Sequence, residues 1–290
     1  MKKTLAAVLA AVMAFGAFTA CTKKNEEENN EEKTYVIYSD NSFAPFEYLD
    51  ESTNEYVGVD MDILAAIAED QGFKYDMHNE GFDAAMGAVQ SGQADGMIAG
   101  MTINDKRKET FDFSDGYFED GQILVVAADS DIKSVEDLKG KTVAAKTSTM
   151  SAELTEKYAE EIGFEVAYYE DSPTMYTAVL NGTNVACFED RSVVEWAIKD
   201  EGLALKTVGD VENAAYYGFA VQKGLNADLL DLFNKGLANI KENGKYDEIL
   251  AKYGYSTKSA DEEEAAPEEN AESDAEATDA EATDAEAAAE

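Results

Sequence analysis

Apolar positions recur with two different periods along residues 34–257. The run TYVIYSD, residues 34–40, is short and rich in β-branched and aromatic side chains, which is typical of a strand. The segment VDMDILAAIAEDQG, residues 59–72, has apolar side chains at helical spacing and ends on a glycine, which predicts a helix.

Both patterns return through the rest of this region. Further helices are predicted at GFDAAMGAVQSG, STMSAELTEKYAEEIG, SPTMYTAVLNG, VVEWAIKDEG and NADLLDLFNKGLANIKENG. Further strands are predicted at ADGMIAGM, KTVAAK, FEVAYYE, NVACFED, LALKTVGD and YYGFAVQ. Because short strands alternate with helices, we predict an α/β fold.

A weak internal repeat divides this series in two. AVQSGQADGMIAG (88–100) aligns with AVLNGTNVACFED (178–190), and each is a predicted helix end, a glycine turn and a buried strand. Chance similarity between such units is the alternative explanation. The repeat predicts two similar lobes. The strand ends AGMT (99–102) and EDRS (189–192) would then form opposite walls of one cleft, since open α/β sheets bind ligands outside the carboxyl ends of their strands.

Both ends of the chain depart from this pattern. Residues 1–21 combine two lysines, an apolar run and a final cysteine, which is the layout of a secretory signal peptide too short to span a bilayer. Its end, FTAC, resembles the lipidation box of bacterial lipoproteins and predicts lipid attachment at Cys21. Residues 22–33 predict a flexible tether, and residues 258–290 predict a disordered acidic tail. Cys187 lies in an apolar run and is expected to be a small buried hydrophobe.

The charge of the chain excludes some partners. The formal net charge is -38, and residues 34–257 alone contain 42 acidic and 17 basic side chains, a balance of -25. Nucleic acid and anionic lipid headgroups are therefore poor partners for the folded part.

Two charged side chains follow the predicted strand ends. Arg107 is one of two arginines in the chain, and its guanidinium offers a fork of donors that matches a carboxylate. Asp190, on the opposite wall, could accept hydrogen bonds from an ammonium, so the two would hold both ends of a zwitterion. Simpler alternatives stay open at this point. Arg107 could pair with Asp105 or Glu109, and Asp190 could pair with the adjacent Arg191.

Six blocks of the sequence, in order, resemble the polar amino-acid-binding proteins of bacterial ABC importers, the solute-binding family 3 type. The blocks are SDNSFAPFEY, VGVDMDILAAIAED, AGMTINDKRKETFDFSDGYF, VEDLKGKTVAAKTSTMS, CFEDRSV and ENGKYDEILAKYG. The resemblance implies a two-lobed periplasmic-binding-protein fold (type II), with residues 34–120 and 215–257 in one lobe and 121–214 in the other. Two hinge strands would cross between the lobes near residues 117–122 and 213–217.

The resemblance also assigns roles to individual residues. Arg107 would clamp the α-carboxylate of the ligand, and Asp190 would accept from its α-ammonium. Phe43 and Phe82 match the positions whose aromatic rings sandwich the ligand side chain. Gly100 and Thr102 match positions that contact the ligand backbone.

Further positions would complete the ligand site. Ser148 and Thr149 precede a predicted helix, so their amides are expected at the same carboxylate. Asp40 and Lys146 would face the distal end of the ligand, where they supply the acceptor and the donors that an amide needs. Glu189 stands where the glutamine-binding branch has a histidine, and it would pair with Lys146 or favour a cationic ligand.

The implied function is capture of a free polar amino acid, with glutamine favoured, by an extracytoplasmic, lipid-anchored protein that serves an ABC transporter permease. We expect a monomer without nucleic-acid partners. One alternative is a periplasmic dehydratase-type enzyme on the same scaffold, with Asp190 or Glu189 as acid or base, and another is a sensory or adhesive lipoprotein. The sequence shows no metal-ligand cluster, and its sole histidine, His78, falls in a predicted surface turn. We therefore predict no catalytic residue, metal or cofactor.

Overall fold

The computed structural model describes residues 33–256. The predicted signal peptide (1–21) with Cys21, the predicted tether (22–33) apart from Lys33, and the predicted acidic tail (258–290) lie outside the described residues. The strands are β1 (Thr34–Ser39), β2 (Ser42–Phe43), β3 (Glu47–Asp50), β4 (Glu55–Val57), β5 (Lys74–Asn79), β6 (Gly96–Met97), β7 (Phe111–Phe113), β8 (Phe118–Ala127), β9 (Thr142–Lys146), β10 (Glu165–Tyr169), β11 (Ala186–Asp190), β12 (Leu205–Tyr217) and β13 (Ala220–Gln222). The α-helices are α1 (Val59–Gln71), α2 (Phe82–Gln90), α3 (Met150–Tyr158), α4 (Ser172–Leu180), α5 (Arg191–Lys199), α6 (Ala227–Glu242) and α7 (Lys245–Lys252).

Two five-stranded sheets organise these elements. The first has the order β5-β1-β6-β13-β7, and the second has the order β10-β9-β11-β8-β12. In each sheet three neighbouring strands are parallel and the remaining two join antiparallel. We call the layer built on the first sheet the first lobe and the layer built on the second sheet the second lobe. The hairpin strands β2, β3 and β4 form a small separate sheet.

Helices cover both faces of each sheet, because successive strand residues point to opposite sides. On one face of the first sheet, α1, α6 and α7 pack around Ile37, Phe233 and Leu237, while α2 packs on the other through Val89 and Met97. The second lobe repeats this arrangement with two separate clusters of buried residues. Cys187 lies in one of these clusters and is fully buried, as predicted.

Two long antiparallel strands, β8 and β12, connect the lobes. At one end Tyr217 lies opposite Phe118, and both side chains pack into the core of the first lobe. The rest of the two strands belongs to the second sheet. A Cβ atom at Gly121 would lie 2.6 Å from the carbonyl oxygen of Glu212, so a residue without a side chain is needed where the strands approach. The predicted lobe boundaries, at 120/121 and 214/215, fall within these strands and stay a prediction.

Some predicted elements differ from the structure. LALKTVGD and the start of YYGFAVQ are one continuous strand, β12, while ADGMIAGM contributes only the two-residue strand β6. The hairpin at residues 42–57 and helix α7 were not predicted. His78 lies in β5, at the edge of the first sheet, rather than in a turn, and its ring stacks on that of Tyr38.

Within residues 33–256, no helix has both the length and the apolar character needed to cross a bilayer.

Candidate functional site

A narrow cleft lies where strand ends of the two lobes face each other. Ten of the eleven predicted ligand-binding residues line it, namely Asp40, Phe43, Phe82, Gly100, Thr102, Arg107, Lys146, Thr149, Glu189 and Asp190. Ala99, Met150 and Ser151 line it as well. The fold therefore brings residues from distant parts of the chain together on one cavity.

Ser148 is the predicted site residue whose side chain does not line the cleft. Its hydroxyl donates to Oδ1 of Asp83 at 2.7 Å, and its backbone has a positive φ of 65°. Its carbonyl oxygen instead accepts from Arg107. The neighbouring Thr149 is the N-cap of α3, where its hydroxyl oxygen accepts from the amide of Ala152 at 3.1 Å.

Arg107 is held in place by backbone groups. The Oδ1 atom of Asn104 accepts from the Arg107 amide at 2.7 Å, while the guanidinium donates to the carbonyl oxygens of Thr102 at 2.9 Å and Ser148 at 3.1 Å. The guanidinium also lies 5.4 Å from the centre of the Phe82 ring. Burial lowers the pKa of Arg107, although a guanidinium stays charged in proteins. Among the described residues Arg107 forms no ion pair with a nearby acid, so its charge is available to a ligand carboxylate.

Asp190 ends β11 and precedes α5, on the opposite wall. Its Oδ1 atom accepts from Nε2 of Gln122 at 2.7 Å, and its Oδ2 atom accepts from the hydroxyl of Tyr217 at 2.6 Å. Burial raises the pKa of Asp190, and these two hydrogen bonds and the charge of Arg107 oppose that shift. The structure thus shows Asp190 bonded to hinge-strand residues rather than paired with Arg191.

Lys146 and Asp40 form an ion pair across the cleft. The Nζ atom of Lys146 lies 2.5 Å from Oδ2 of Asp40, and both side chains are almost fully buried. The same ammonium lies 4.7 Å from the centre of the Phe43 ring and 6.0 Å from that of Phe82. Burial lowers the pKa of Lys146, but the charges of Asp40 and Glu189 outweigh it and raise the pKa overall.

Glu189 is a buried acid held by its own lobe. Its Oε2 atom accepts from the hydroxyls of Ser172 at 2.8 Å and Tyr176 at 3.2 Å, and its Oε1 atom accepts from the Asp190 amide at 3.1 Å. Burial and the charge of Asp190 raise the pKa of Glu189 to about 7, while Lys146 opposes the shift. Glu189 therefore adds an acid at the distal part of the cleft.

Gly100 lines the cleft at a position where a side chain would clash with its neighbours. Its φ is 51°, and a Cβ atom there would lie 2.5 Å from the Phe43 ring. Its amide donates to Oδ2 of Asp60 at 2.8 Å, and the hydroxyl of Tyr117 donates to the same oxygen at 2.8 Å. Asp60 thus fixes a cleft residue and the residue that precedes the first hinge strand.

Glu47 lies beside Asp60 and is also fully buried. Both carboxylate oxygens of Glu47 and Oδ1 of Asp60 have no hydrogen-bond partner among the described residues. Burial raises the pKa of Asp60 to about 7, and burial together with the Asp60 charge raises the pKa of Glu47. Because Oδ1 of Asp60 and the Glu47 carboxylate lack donors and are buried side by side, we expect the two acids to share one proton.

The free energy of unfolding should fall as pH rises through the range in which this proton is lost. The pKa of Asp60 is about 7 in the folded protein against an ordinary 3.8, so the folded state binds more protons between these values. We expect less stability at pH 7.5 than at pH 5.5, with a slope of at most about 1.4 kcal/mol per pH unit for one proton. Urea denaturation at the two pH values measures it.

Glu47→Gln isolates the contribution of the pair. It removes one acid and gives Asp60 an amide donor, so we expect this variant to lose less stability than the wild type between pH 5.5 and 7.5. Glu51→Gln, at an exposed position of the same hairpin, is the matched control. An unchanged pH dependence in Glu47→Gln would show that the pair holds no shared proton.

The comparisons with known proteins agree with this geometry. The family model of the bacterial extracellular solute-binding proteins, family 3, matches residues 35–256. The chain belongs to this family. It is 34% identical over 271 residues to the glutamine-binding protein of an ABC transporter of Bacillus subtilis (strain 168), covering 87% of this chain and 97% of the relative. It is 31% identical over 261 residues to a probable histidine-binding protein of Neisseria gonorrhoeae, covering 87% and 96%.

A similar solved structure supports the fold. The structure of an ancestral arginine-binding protein bound to arginine matches with a TM-score of 0.72 at 37% identity, covering 77% of this chain and 98% of that one. The predicted two-lobed type II periplasmic-binding-protein fold is thereby confirmed.

Sequence reasoning missed three residues that lie behind this cleft and support Asp190. Tyr217 and Gln122 hold the Asp190 carboxylate, and Asp120 lies next to them in β8. Their only sequence signal was their position in the predicted hinge segments. Because these contacts join residues of different strands far apart in the chain, they depend on strand pairing that local patterns do not specify.

Proposed function

We propose that the protein captures a free polar amino acid outside the cytoplasm and delivers it to an ABC transporter. The observation that carries this proposal is the position of Arg107 and Asp190 on opposite walls of one cleft. A guanidinium without an acidic partner suits an α-carboxylate, and a carboxylate suits an α-ammonium. The similar proteins are a glutamine-binding, a probable histidine-binding and an arginine-binding protein, which agrees with a zwitterionic ligand.

Ligand capture would proceed by closure about β8 and β12. Arg107 belongs to the first lobe and Asp190 to the second, so a zwitterion contacts both charges only when the lobes come together. Such a ligand favours the closed state by differential affinity, and hinge closure of this kind is typical of periplasmic binding proteins. A permease could then distinguish loaded from empty protein by shape.

Glutamine is the first candidate ligand. In the distal part of the cleft the ammonium of Lys146 lies near the rings of Phe43 and Phe82, where the side chain of the ligand is expected. A guanidinium placed there would face this ammonium, whereas an amide can accept from Lys146 and donate to Asp40. Arginine is the second candidate, because Glu189 adds an acid to the same region and an arginine-binding protein is among the similar structures.

Membrane attachment through Cys21 belongs to the same proposal. A lipid at this cysteine, followed by the charged segment of residues 22–33, would keep the binding lobes close to a permease. A Cys21→Ser variant should be released from the membrane into the soluble extracytoplasmic fraction while keeping its ligand affinity.

A thermal-shift screen against the common amino acids tests the proposal. A ligand at a hundred times its dissociation constant adds about 2.7 kcal/mol to the free energy of unfolding, which is readily measured as a higher melting temperature. We expect L-glutamine to give the largest shift and L-arginine to rank next. A largest shift with L-arginine would overturn the glutamine assignment alone, and no shift with any amino acid would overturn the proposed function. Turnover of a keto or hydroxy acid would support the dehydratase alternative instead.

A further inference from the structure

Asp120 lies directly behind the proposed ammonium acceptor. The hydroxyl of Tyr217 donates to Oδ2 of Asp190 at 2.6 Å and is 3.4 Å from Oδ2 of Asp120. These distances place the two carboxylate oxygens no more than 6.0 Å apart. A hydroxyl has one proton, so Tyr217 satisfies Asp190 and leaves Asp120 beside a second acid.

The other contacts of Asp120 come from Gly121 and from the amide and side chain of Ser192. Its Oδ1 atom accepts from the amide of Gly121 at 2.8 Å, and its Oδ2 atom accepts from the amide of Ser192 at 3.0 Å, in the first turn of α5. Within residues 33–256, no lysine or arginine forms an ion pair with Asp120. Asp120 therefore joins a hinge strand to the helix that follows Asp190.

Asp120 and Asp190 have different charged neighbours. The titratable groups that act on Asp190 are Arg107, Lys146 and Glu189. Those that act on Asp120 are Tyr217 and Tyr255. Of the two cations, Lys146 is paired with Asp40. Burial and the charge of Asp190 raise the pKa of Asp120 to about 7, and burial also raises the pKa of Asp190. Two neighbouring buried carboxyl groups do not both ionise readily.

We propose that the empty site holds one proton on the Asp120–Asp190 pair, and that the α-ammonium of the bound amino acid replaces it. Binding then ionises a carboxylic acid, the proton passes to the buffer, and the ligand keeps all three protons of its ammonium. Asp120 is thus a positioning residue that acts through Asp190, and this inference rests on the proposed function.

The proposal fixes the direction of the pH dependence. Because binding releases a proton, affinity should rise with pH, by about tenfold between pH 6 and pH 8 for a pair that titrates near 7. A structural role for Asp120 alone, as a cap of α5, would change stability without coupling affinity to pH.

Isothermal titration calorimetry in phosphate and in imidazole buffer tests this proton release. The difference in binding enthalpy between buffers gives the number of protons released, with L-glutamine as ligand and L-arginine measured in parallel. For the wild type we expect about half a proton per ligand at pH 7 and close to one at pH 6. Asp120→Asn keeps an oxygen for the amide of Ser192 and should release markedly less. Glu119→Gln, an exposed neighbour on β8, should behave as the wild type.

The outcomes separate this inference from the proposed function. Binding without proton release by the wild type, or equal release by wild type and Asp120→Asn, would overturn the proton exchange and leave the proposed function standing. If neither amino acid binds, the proposed function fails and this inference fails with it. If Asp120→Asn does not fold, binding by the wild type without proton release still overturns the inference.

Discussion

Arg107→Ala should weaken amino-acid binding by about 2 to 5 kcal/mol, which is about 30-fold to several thousand-fold in the dissociation constant. The guanidinium is held by the carbonyl oxygen of Thr102, in its own lobe, before any ligand arrives, and the carbonyl oxygen of Ser148 joins it as the lobes close, so little ordering is needed when it meets a carboxylate. Removing it leaves the ligand carboxylate desolvated without its partner in the closed cleft. Calorimetry with the amino acid that gives the largest thermal shift measures the loss.

Two further variants show which property of Arg107 matters. Arg191→Ala removes the other arginine, which is exposed and adjacent to Asp190, and its affinity should stay within twofold of the wild type. Arg107→Lys keeps the charge but loses the planar fork, so it should lie between wild type and Arg107→Ala. If Arg107→Ala bound as tightly as the wild type, the assignment of the carboxylate clamp would be wrong.

The sequence predicted the two walls of the cleft better than the hinge that joins them. Arg107 follows a buried strand and Asp190 ends one, and strand ends are where open α/β sheets hold ligands, so the local pattern put both at the cleft, whereas their ligand roles came only from the family resemblance. Continuity of β12 could not be predicted in this way. Gly209 and Asn213 have positive φ and look like strand breakers, but irregular registers against β8 accommodate both of them.

Other discrepancies have similar physical causes. The polar run that contains His78 looks like a turn, yet β5 is an edge strand, where polar side chains can reach solvent. Lys146 was expected to face the ligand, and its direct ion pair with Asp40 appears only when the two lobes are brought together. Sequence patterns predict the helices and strands within each lobe, whereas contacts across the cleft depend on how the lobes close.

Lys146→Met should weaken ligand binding by about 3 to 5 kcal/mol, because it leaves Asp40 buried without a charged partner in the closed protein, with only the Asn41 amide donating to it. The two residues lie on different lobes, so both side chains can reach water when the cleft opens and the penalty applies to closure. We therefore expect a small change in the melting temperature of the ligand-free protein and a large loss of the ligand-induced shift. Thermal melts and calorimetry, with and without L-glutamine, measure the two effects separately.

A second ion pair across the cleft provides the matched control. Lys106 lies 2.6 Å from Glu153, but the Lys106 side chain is 75% exposed, so Lys106→Met should change the affinity little. The double variant Asp40→Asn/Lys146→Met removes both buried charges and should recover part of the affinity lost in Lys146→Met, since coupled partners are not additive. Equal losses in Lys146→Met and Lys106→Met would mean that burial of the pair does not control closure. No recovery in the double variant would instead assign the loss to a direct contact between Lys146 and the ligand.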